Sequence, residues 1–549
     1  MSVSVMQISS LEKIRAGEAC ECPEISASAA LAGERFSYQL RLEGVAPVFV
    51  RAHIESPLSG SVTLYRVRDA VMDAPVIGSR PLEDYLTHEP GLMPDILIPL
   101  EETAHHLTLD NCGATLWVRV DVPADMPAGT YPVTIRLTVN EPGATDQAQI
   151  IKTLMLQILP VVQPAQRLIY TRWLYLDCIA TAHHVPIFSE AHWQLIEQYI
   201  AAAADVGVNM MLLSVHTPPL DTEVGTARPC VQLVDIEKTE KGYQFDFQKL
   251  RRFIALCKKH GIRYYEIAHM FSQWGAKCTP NIMVTENGKT DYRFGWHVSA
   301  DEPEYIAFLQ AYIPAILGVL DAEGITENTY FHISDEPNTA TEEAYRRVSG
   351  LLRPLIGKCK TMDALSDRLF YEKGLVECPV TCVEHIHKFL EHHIPNQWLY
   401  YCCIPQNIFP NGFLAMPSYR IRILGFLLYR YDIKGFLHWG FNFYHACRSL
   451  YPIDPYLTTS GDHAYPSGDP FIVYPAKDGV YHSIRGEVTY QAVQDMDLCF
   501  ALEEKLGRAA VVAMIDQAAG RPLRFDDYPK NNAFIESLRA AMLDALSQK

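Results

Sequence analysis

Apolar and polar residues alternate in short runs over the N-terminal part of the chain, and Gly, Pro and Asn separate these runs. Strands at this spacing, with turn signals between them, are typical of an antiparallel sandwich. Pro127 to Tyr131 forms a turn between the last two runs, which reads as a half-buried hairpin. The pattern predicts a β-sandwich domain over residues 1–160. Its strand candidates are Phe36 to Leu42, Val48 to Ile54, Ser61 to Val67, Leu116 to Val122 and Tyr131 to Val139.

After Pro160 the pattern changes, because strand-like runs now alternate with long helical patterns. This alternation indicates βα units around a parallel sheet. Eight such units predict a closed (β/α)8 barrel of the TIM type over residues 161–480, followed by a helical segment, 481–549, packed on the barrel. The eight strand candidates are Leu168 to Leu176, Met210 to Val215, Tyr264 to His269, Thr329 to Ile333, Lys360 to Ala364, Val380 to His385, Trp398 to Cys403 and Gly435 to Trp439. The helical patterns include Glu190 to Asp205, Phe247 to His260, Pro303 to Ala322, Thr341 to Ile356 and Ser418 to Tyr431.

The hydrophobic content and the net charge of the chain limit the classes of protein to which it can belong. The 549 residues are 48% hydrophobic and 20% charged, which predicts a folded chain with large cores rather than a disordered one. There are 64 acidic against 47 basic residues, a net charge of −17. A surface this acidic repels phosphate backbones, so nucleic acid is not expected as a partner.

Targeting and membrane signals are weak. The first twenty residues contain Lys13 and Arg15 but no apolar core of the kind that a secretory signal has. The apolar run Ile423 to Tyr429 is too short to span a bilayer. We therefore expect a cytoplasmic protein without a membrane-spanning segment.

The spacing of the cysteines and histidines predicts neither a metal site nor a cofactor. The 14 cysteines are scattered, and the nearest pairs, Cys20 with Cys22 and Cys402 with Cys403, lack the spacing of metal sites. We interpret them mostly as reduced, buried thiols. The histidines at or beyond the predicted strand ends lack the spacing of a helical zinc site. They are His183, His184, His216 and His269.

Two adjacent carboxylates, Asp335 and Glu336, follow the fourth predicted barrel strand. The active site of such barrels lies at the C-terminal ends of the strands. Pro337 cannot continue the ladder and favours an extended or polyproline conformation for Glu336, so both acids are expected to reach the barrel mouth. The alternative is structural, with Asp335 capping the next helix and Glu336 as a solvated loop residue.

Paired carboxylates at a barrel mouth suggest glycoside hydrolysis, in which one acid protonates the leaving oxygen. A second group must attack or stabilise the anomeric carbon, yet the seventh predicted strand ends without a carboxylate. Glu384 and Asp363 are isolated alternatives. Substrate assistance needs no enzyme nucleophile, because the 2-acetamido oxygen of the sugar attacks C1 while a carboxylate orients the amide.

Aromatic and amide side chains near the strand ends are candidates for binding the sugar. Trp439 and Asn442 follow the eighth predicted strand, where an indole can stack on a sugar and an amide can bind hydroxyls. Arg172, Trp173 and Tyr401 are further candidates by position. The alternative for Trp439 and Asn442 is packing within the barrel.

The chain resembles the catalytic domain of glycoside hydrolase family 123, with the β-sandwich that precedes it. The Leu116 to Thr134 hairpin resembles that sandwich, and Thr489 to Ala492 departs from the Arg-Asp-Gly run with which the family's last motif usually continues. Three stretches carry the resemblance: Ser334-Asp335-Glu336-Pro337; Gly435-Phe436-Leu437-His438-Trp439-Gly440-Phe441-Asn442; and Gly468-Asp469-Pro470 through Tyr474-Pro475 to Ser483-Ile484-Arg485-Gly486-Glu487.

The resemblance implies a retaining β-N-acetylgalactosaminidase that works through an oxazoline intermediate. Glu336 then matches the general acid/base and Asp335 the residue that orients the acetamide. The expected substrate is a small glycan or oligosaccharide cleaved from its end. Two alternatives stay open: a non-catalytic carbohydrate-binding protein on the same scaffold, and a glycosidase on sugars without the acetamido group.

Overall fold

The computed structural model describes residues 3–44, 48–78, 83–103, 105–109, 113–140 and 147–548. Over these residues the chain forms N-terminal sheets, a closed parallel barrel and C-terminal helices. The N-terminal sheets are antiparallel except where Ala27–Ala32 pairs in parallel with Ala148–Val162. The predicted fold class, a β-sandwich followed by a (β/α)8 barrel and a helical tail, is confirmed.

The sandwich consists of two sheets that bury alternate apolar side chains between them. In strand Gly129–Asn140, Val133, Ile135, Leu137 and Val139 are buried and the residues between them are partly exposed, as the alternation predicts. In the described part, one sheet contains, in spatial order, Val3–Ser9, Arg35–Gly44, Ala114–Asp121, Val62–Met72, Gly91–Pro99, Gly479–Ser483 and Tyr474–Ala476. The other contains Ala27–Ala32, Ala148–Val162, Gly129–Asn140, Val48–Glu55 and His106–Leu109.

The barrel closes where its first strand, Ile169–Arg172, pairs in parallel with its last, Gly435–His438. The first strand is shorter than predicted, because helix Leu176–Ala182 begins soon after it and Trp173 lies in the connection. Between the first and last strands lie, in order, Met210–Leu213, Tyr264–Ile267, Thr329–Phe331, Lys360–Leu365, Cys378–Cys382 and Trp398–Tyr400.

Helices surround the barrel and continue into the C-terminal segment. Those around the barrel are Leu176–Ala182, Glu190–Asp205, Gln248–Lys259, Pro303–Ala322, Glu342–Leu352, Leu369–Glu372, His387–Leu390 and Tyr419–Arg430. The C-terminal ones are Ile484–Leu506, Arg508–Ala519 and Asn532–Ser547. Short 3-10 helices lie at Ser59–Ser61, Leu100–Thr103, Thr326–Asn328, Thr339–Thr341, Val383–His385 and Cys447–Ser449.

Helix Ile484–Leu506 packs closely on barrel helix Tyr419–Arg430 at a glycine. A Cβ atom on Gly425 would lie 2.0 Å from the carbonyl oxygen of Ala492, so only glycine allows this approach. The helix begins at Ser483, whose hydroxyl accepts a hydrogen bond from the Gly486 amide. The C-terminal segment therefore packs directly on the barrel.

A four-stranded sheet on the barrel is not anticipated by the sequence pattern. Its strands come from the segments after the second and third barrel strands. In spatial order they are Gly242–Asp246, Asp235–Thr239, Ile282–Glu286 and Lys289–Phe294.

The sandwich, the barrel and the C-terminal helix meet at a cluster of ion pairs. Arg35 and Arg119 from the sandwich both face Glu487, at 3.3 Å and 3.5 Å, and both bond to Asp205 at the end of a barrel helix. Glu487 is only 1% exposed. Strand Gly479–Ser483 also pairs with the sandwich, so the chain returns to the first domain after completing the barrel.

One helix in the described residues, Pro303–Ala322, is long and apolar enough to cross a membrane. In this fold its Phe308, Tyr312 and Ile316 are buried, and the Tyr312 hydroxyl donates a hydrogen bond to the carbonyl of Val215 beside the second barrel strand. It serves here as a core helix of the barrel.

Candidate active site

A pocket opens at the C-terminal ends of the barrel strands, where barrel enzymes carry out their chemistry. It contains both adjacent carboxylates and a wall of aromatic rings. The residues that line it are Trp173, Tyr175, Leu220, Asp221, Trp274, Asp335, Glu336, Ala364, Tyr400, Cys402, Cys403, Leu437, Trp439 and Tyr465.

Asp335 and Glu336 lie on the connection after the fourth strand, and this connection is held against the segment after the third. The amide of Phe271 bonds to the carbonyl of Ile333 at 3.0 Å, and the amide of Trp274 bonds to the carbonyl of Asp335 at 3.1 Å. These bonds extend the pairing beyond the strands. Both acids consequently face the pocket, as predicted.

The backbone of Glu336 adopts φ +44°, so the predicted extended or polyproline conformation is wrong. A non-glycine residue with positive φ is strained, and such residues cluster at functional sites because the surrounding structure must hold them in place. The reading of Asp335 as a helix cap is also wrong, since the side chain of Asn338 caps the next helical turn by accepting from the Ala340 amide.

Glu336 is positioned by a tyrosine on the opposite side of the pocket. The Tyr400 hydroxyl donates a hydrogen bond of 2.6 Å to Glu336 Oε1. Tyr400 is the last residue of the seventh strand, the position at which the sequence offers no carboxylate. The end of that strand therefore holds the carboxyl of Glu336 in place.

Asp335 is free to accept hydrogen bonds from a ligand. Among the described residues, no side chain or amide donates to its carboxyl oxygens, which lie partly open to the pocket. Burial, together with the negative charges of Glu336 and Asp363, raises the pKa of Asp335 well above its usual range. A donor from a ligand would favour the ionised form.

A polar layer lies beneath the pocket, inside the barrel. His332 Nε2 lies 2.7 Å from Glu266 Oε2, and its Nδ1 lies 3.2 Å from Asp363 Oδ1. Burial lowers the pKa of His332, but the hydrogen bonds and charges of the two carboxylates outweigh this and raise it to about 9. The resulting imidazolium attracts the Asp335 charge from below. Glu266 also accepts from the Trp173 indole at 3.0 Å, which fixes one wall of the pocket.

Asp363 and Glu384, the isolated alternatives for a nucleophile, do not line the pocket. Asp363 is buried, and its carboxyl oxygens already bond to His332, to the Tyr345 hydroxyl at 2.5 Å and to the Ile333 amide at 3.0 Å. Glu384 lies in a short 3-10 helix after the sixth strand. A third acid that does line the pocket is Asp221, whose Oδ2 accepts from the Tyr465 hydroxyl at 2.5 Å.

Trp439 forms the part of the wall next to Trp173, because the first and eighth strands that precede them are paired where the barrel closes. Its indole Nε1 donates to Asp469 Oδ2 at 2.9 Å, and its rings pack on Phe443 and Tyr465 with centroids 5.0 and 5.1 Å away. Burial raises the pKa of Asp469 to about 7. Trp439 is only half buried, so one part of the ring remains open to a ligand.

Three predicted binding residues are not brought into the pocket, and side-chain alternation explains two of them. Trp173 and Tyr400 line the pocket, so their neighbours Arg172 and Tyr401 point to the other face of the strands. There Tyr401 packs on His438 with ring centroids 5.4 Å apart, and Arg172 is buried. Asn442 is fully buried, and its amide bonds to the backbone N–H and C=O of Tyr175.

Sequence reasoning missed several pocket residues. Tyr400 was missed because alternation along the seventh strand does not say whether Tyr400 or Tyr401 faces the pocket. The others come from loops whose course only the folded chain reveals. These are Tyr175, Leu220, Asp221, Trp274 and Tyr465. The buried Tyr175 hydroxyl has no hydrogen-bond partner in the described structure, so it can donate to a ligand.

Two buried groups in the described residues bring metal-type donors together. One is His269 with His332 and Asp363, and the other is Asp177, Cys178 and His445. In the first, both nitrogens of His332 face carboxylates, so the ring carries two protons and offers no lone pair. In the second, the Arg228 guanidinium lies 3.7 Å from Asp177 and supplies the positive charge itself.

Residues 173–502 match the model of the glycoside hydrolase 123 catalytic domain. A solved structure of a family 123 glycoside hydrolase from Clostridium perfringens, described as giving the details of glycolipid glycan hydrolysis, aligns with TM-score 0.72 and 14% identity over 99% of this chain and 97% of that one. This likeness concerns the fold.

More distant solved structures also align. A GH10 xylanase from termite gut gives TM-score 0.34 and 8% identity over 86% of this chain and 99% of that one. A family 5 mannosidase from Rhizomucor miehei gives TM-score 0.35 and 12% identity over 63% and 94%. No curated protein matches the sequence.

Proposed function

Since the chain belongs to glycoside hydrolase family 123, we propose that it is a retaining exo-β-N-acetylgalactosaminidase that uses the acetamido group of its substrate as nucleophile. The observation that carries the proposal is the pair of carboxylates in one pocket, of which Asp335 has free oxygens and Glu336 is held by Tyr400. The substrate is a small glycan or oligosaccharide.

In the first step the acetamide oxygen attacks C1 and forms an oxazolinium ion that keeps its N–H proton, while the bond to the leaving oxygen breaks. Asp335 accepts a hydrogen bond from the acetamide N–H, holds the amide behind C1 and stabilises the positive charge that develops on it. Glu336 gives its proton to the leaving oxygen. In the second step Glu336 takes a proton from water, which attacks C1 and restores the original configuration.

The pocket walls support this chemistry. Trp173 and Trp439 present indole rings whose N–H groups are tied to Glu266 and Asp469, so the rings need no reorganisation when a sugar binds. The imidazolium of His332 beneath the pocket favours the charged form of Asp335. Both features prepare the site before substrate arrives.

A second candidate rests on Asp221, which lines the same pocket. A glycosidase acting on sugars without the acetamide would need a carboxylate nucleophile, and Asp221 is available for that role in place of Glu384. Burial raises the pKa of Asp221, and its Tyr465 partner limits its motion. Both features favour a structural role in the wall, so substrate assistance is the better supported of the two.

A set of aryl glycosides tests the proposal. We expect turnover of the aryl β-N-acetylgalactosaminide, much slower turnover of the matching β-galactoside, and tight competitive inhibition by a thiazoline analogue of N-acetylgalactosamine. Equal rates on the two sugars, with loss of both in Asp221→Asn, would favour the Asp221 mechanism. Binding of the thiazoline without any hydrolysis would favour the non-catalytic carbohydrate-binding protein.

A further inference from the structure

The wall of the pocket beside Glu336 contains two consecutive cysteines that the proposed chemistry does not use. Cys402 and Cys403 both line the pocket and both are partly exposed to it. Their Sγ atoms lie 3.9 Å apart, with the Cys403 thiol directed at the sulfur of Cys402. Two thiols thus open into the same cavity as the catalytic carboxylates.

The backbone around the pair is fixed by hydrogen bonds. The Cys402 amide bonds to the carbonyl of Ile404 at 3.0 Å. The side-chain amide of Asn411 bonds to the carbonyls of Cys402 and Pro405 at 2.9 and 3.1 Å. The two thiols are therefore presented together, and a ligand that binds both pays little to order them.

The separation of the sulfurs favours bridging through a third atom over a direct disulfide bond. A disulfide requires sulfurs about 2.05 Å apart and Cα atoms usually 4.4 to 6.8 Å apart. Consecutive residues have Cα atoms only about 3.8 Å apart across a trans peptide, so a direct bond between this pair would be strained. A bridging atom leaves the sulfurs further apart, close to where they already lie.

The sulfur ligands select the kind of bridging atom. Thiolates prefer soft, polarisable centres, and two sulfurs without a built set of nitrogen or oxygen donors do not complete a tetrahedral zinc site. A trivalent arsenic compound with one organic substituent needs two sulfurs. The hydrogen bond from Cys403, followed by burial and the nearby Glu336 charge, raises the pKa of the Cys402 thiol well above its usual range. The reagent must therefore accept protonated thiols, as arsenic hydroxides do by releasing water.

We propose that Cys402 and Cys403 form a dithiol site that binds a trivalent organoarsenical across both sulfurs and thereby blocks the active-site pocket. For a reagent R–As(OH)2, two As–O bonds break and two As–S bonds form. The two thiol protons leave with the hydroxides as two water molecules. Arsenic stays trivalent, so no electrons are transferred.

Simultaneous attachment gives the site its selectivity. Once one sulfur is bound, the second reacts within the same complex, and such linked binding commonly exceeds single-site affinity by about 10² to 10⁴. Isolated partly exposed thiols, such as Cys278 and Cys447, lack this advantage. Cys20 and Cys22 form a second close pair of thiols, in the sandwich, and the test must separate it from the pocket pair.

The experiment uses the full-length protein carrying Cys20→Ser and Cys22→Ser, treated with phenylarsine oxide and followed by intact mass and by hydrolysis of an aryl β-N-acetylgalactosaminide. We expect one phenylarsenic group per chain and loss of at least nine tenths of the activity. A dithiol such as 2,3-dimercaptopropanol should reverse both effects, and an equal concentration of a monothiol should not. Adding Cys402→Ser or Cys403→Ser should abolish the mass addition, whereas adding Cys447→Ser should not.

Each outcome decides the proposal. No mass addition, or addition that persists in both single-serine variants, would overturn the site. Addition with full activity would overturn the blocking effect, which rests on the proposed function. Loss of two hydrogens in place of an arsenic addition would show that a disulfide forms instead. If the untreated protein does not hydrolyse the glycoside, the proposed function fails, while the mass measurement still decides whether the dithiol site exists.

Discussion

The Tyr400 hydroxyl donates a 2.6 Å hydrogen bond to Glu336 Oε1 across the mouth of the barrel. It joins the end of the seventh strand to the residue after the fourth, and it restrains a carboxyl whose backbone is in a strained conformation, φ +44°. The side chain opposite the acid is thus a neutral donor, where a glycosidase with its own nucleophile would carry a second carboxylate.

Replacing Tyr400 tests how far this bond contributes to catalysis. A hydrogen bond to a charged group is worth about 1.5 to 3 kcal/mol, so Tyr400→Phe should lower kcat by about ten- to hundredfold through misplacement of Glu336. Tyr401→Phe is the matched control, because the neighbouring ring points away from the pocket and should leave kcat unchanged. Steady-state kinetics on an aryl β-N-acetylgalactosaminide measures both, and equal losses would contradict the assignment.

Glu336→Gln should separate proton donation from the rest of the reaction. The variant cannot protonate the leaving oxygen, and general acid catalysis typically contributes about 10² to 10⁴ in rate. We expect that loss on natural glycans and a much smaller loss on aryl glycosides, whose leaving groups need little protonation. Leaving-group dependence of kcat/KM measures it, and an equal loss on both substrate types would exclude Glu336 as the acid.

The pH dependence of kcat/KM should report Asp335. Only its ionised form orients the acetamide, so activity falls as pH decreases through its pKa, which burial and the charges of Glu336 and Asp363 raise. In Asp335→Asn no carboxyl titrates at this position, so the residual activity should lack the acid limb. An aryl substrate is used so that departure of the leaving group does not limit the rate. An unmoved acid limb would assign it to another group.

Sequence patterns were sufficient to predict the barrel and to place Asp335 and Glu336 at its mouth. Each of the eight apolar runs overlaps one of the eight observed strands, although the sixth strand, Cys378–Cys382, begins and ends earlier than predicted. The overlap arises because each buried strand must present apolar side chains to the surrounding helices. Asp335 and Glu336 follow from the rule that such barrels react at their strand ends. These inferences need only local periodicity.

The inner face of the seventh strand, the extra four-stranded sheet and the position of Asp221 depended on information that local patterns do not contain. Choosing Tyr401 over Tyr400 reverses the face of the strand, and only pairing with neighbouring strands sets that register. The four-stranded sheet was not predicted because its hairpin is largely charged and polar and lies on the surface. The hairpin joins Asp235–Thr239 to Gly242–Asp246. Asp221 reaches the pocket from a loop whose course is set by contacts with Arg448 and Tyr465, more than 200 residues later.

The ion-pair cluster between domains should be important for stability. Glu487 is 1% exposed and faces both Arg35 and Arg119. Glu487→Gln removes one of the three carboxylates around the two guanidinium groups, which keep Asp121 and Asp205, so we expect a cost of about 1.5 to 3 kcal/mol. Glu504→Gln removes an exposed pair with Arg167 and should cost less than about 1 kcal/mol. Thermal unfolding of both variants measures the difference, and equal melting temperatures would show that the cluster does not stabilise the interface.

Asp335→Asn should make the protein more stable and less active at the same time. The folded-state pKa of Asp335 is raised, so the folded chain holds this proton more tightly than the unfolded chain does. Its ionisation therefore costs stability at pH values above its ordinary pKa of about 3.9, and the cost grows until the pH passes the raised value. Asparagine keeps the shape without the charge, so at pH 7 we expect the melting temperature to rise by about 1 to 3 °C. The gain should disappear near pH 4, where the wild-type carboxyl is protonated in the folded chain.

Hydrolysis should slow for every leaving group, because the amide is no longer held by a charge as the oxazoline forms. Scanning calorimetry at the two pH values and kinetics on aryl glycosides measure both effects. A lower melting temperature at pH 7 would show that the Asp335 carboxylate does not destabilise the folded protein. Undiminished turnover would show that the reaction does not need it.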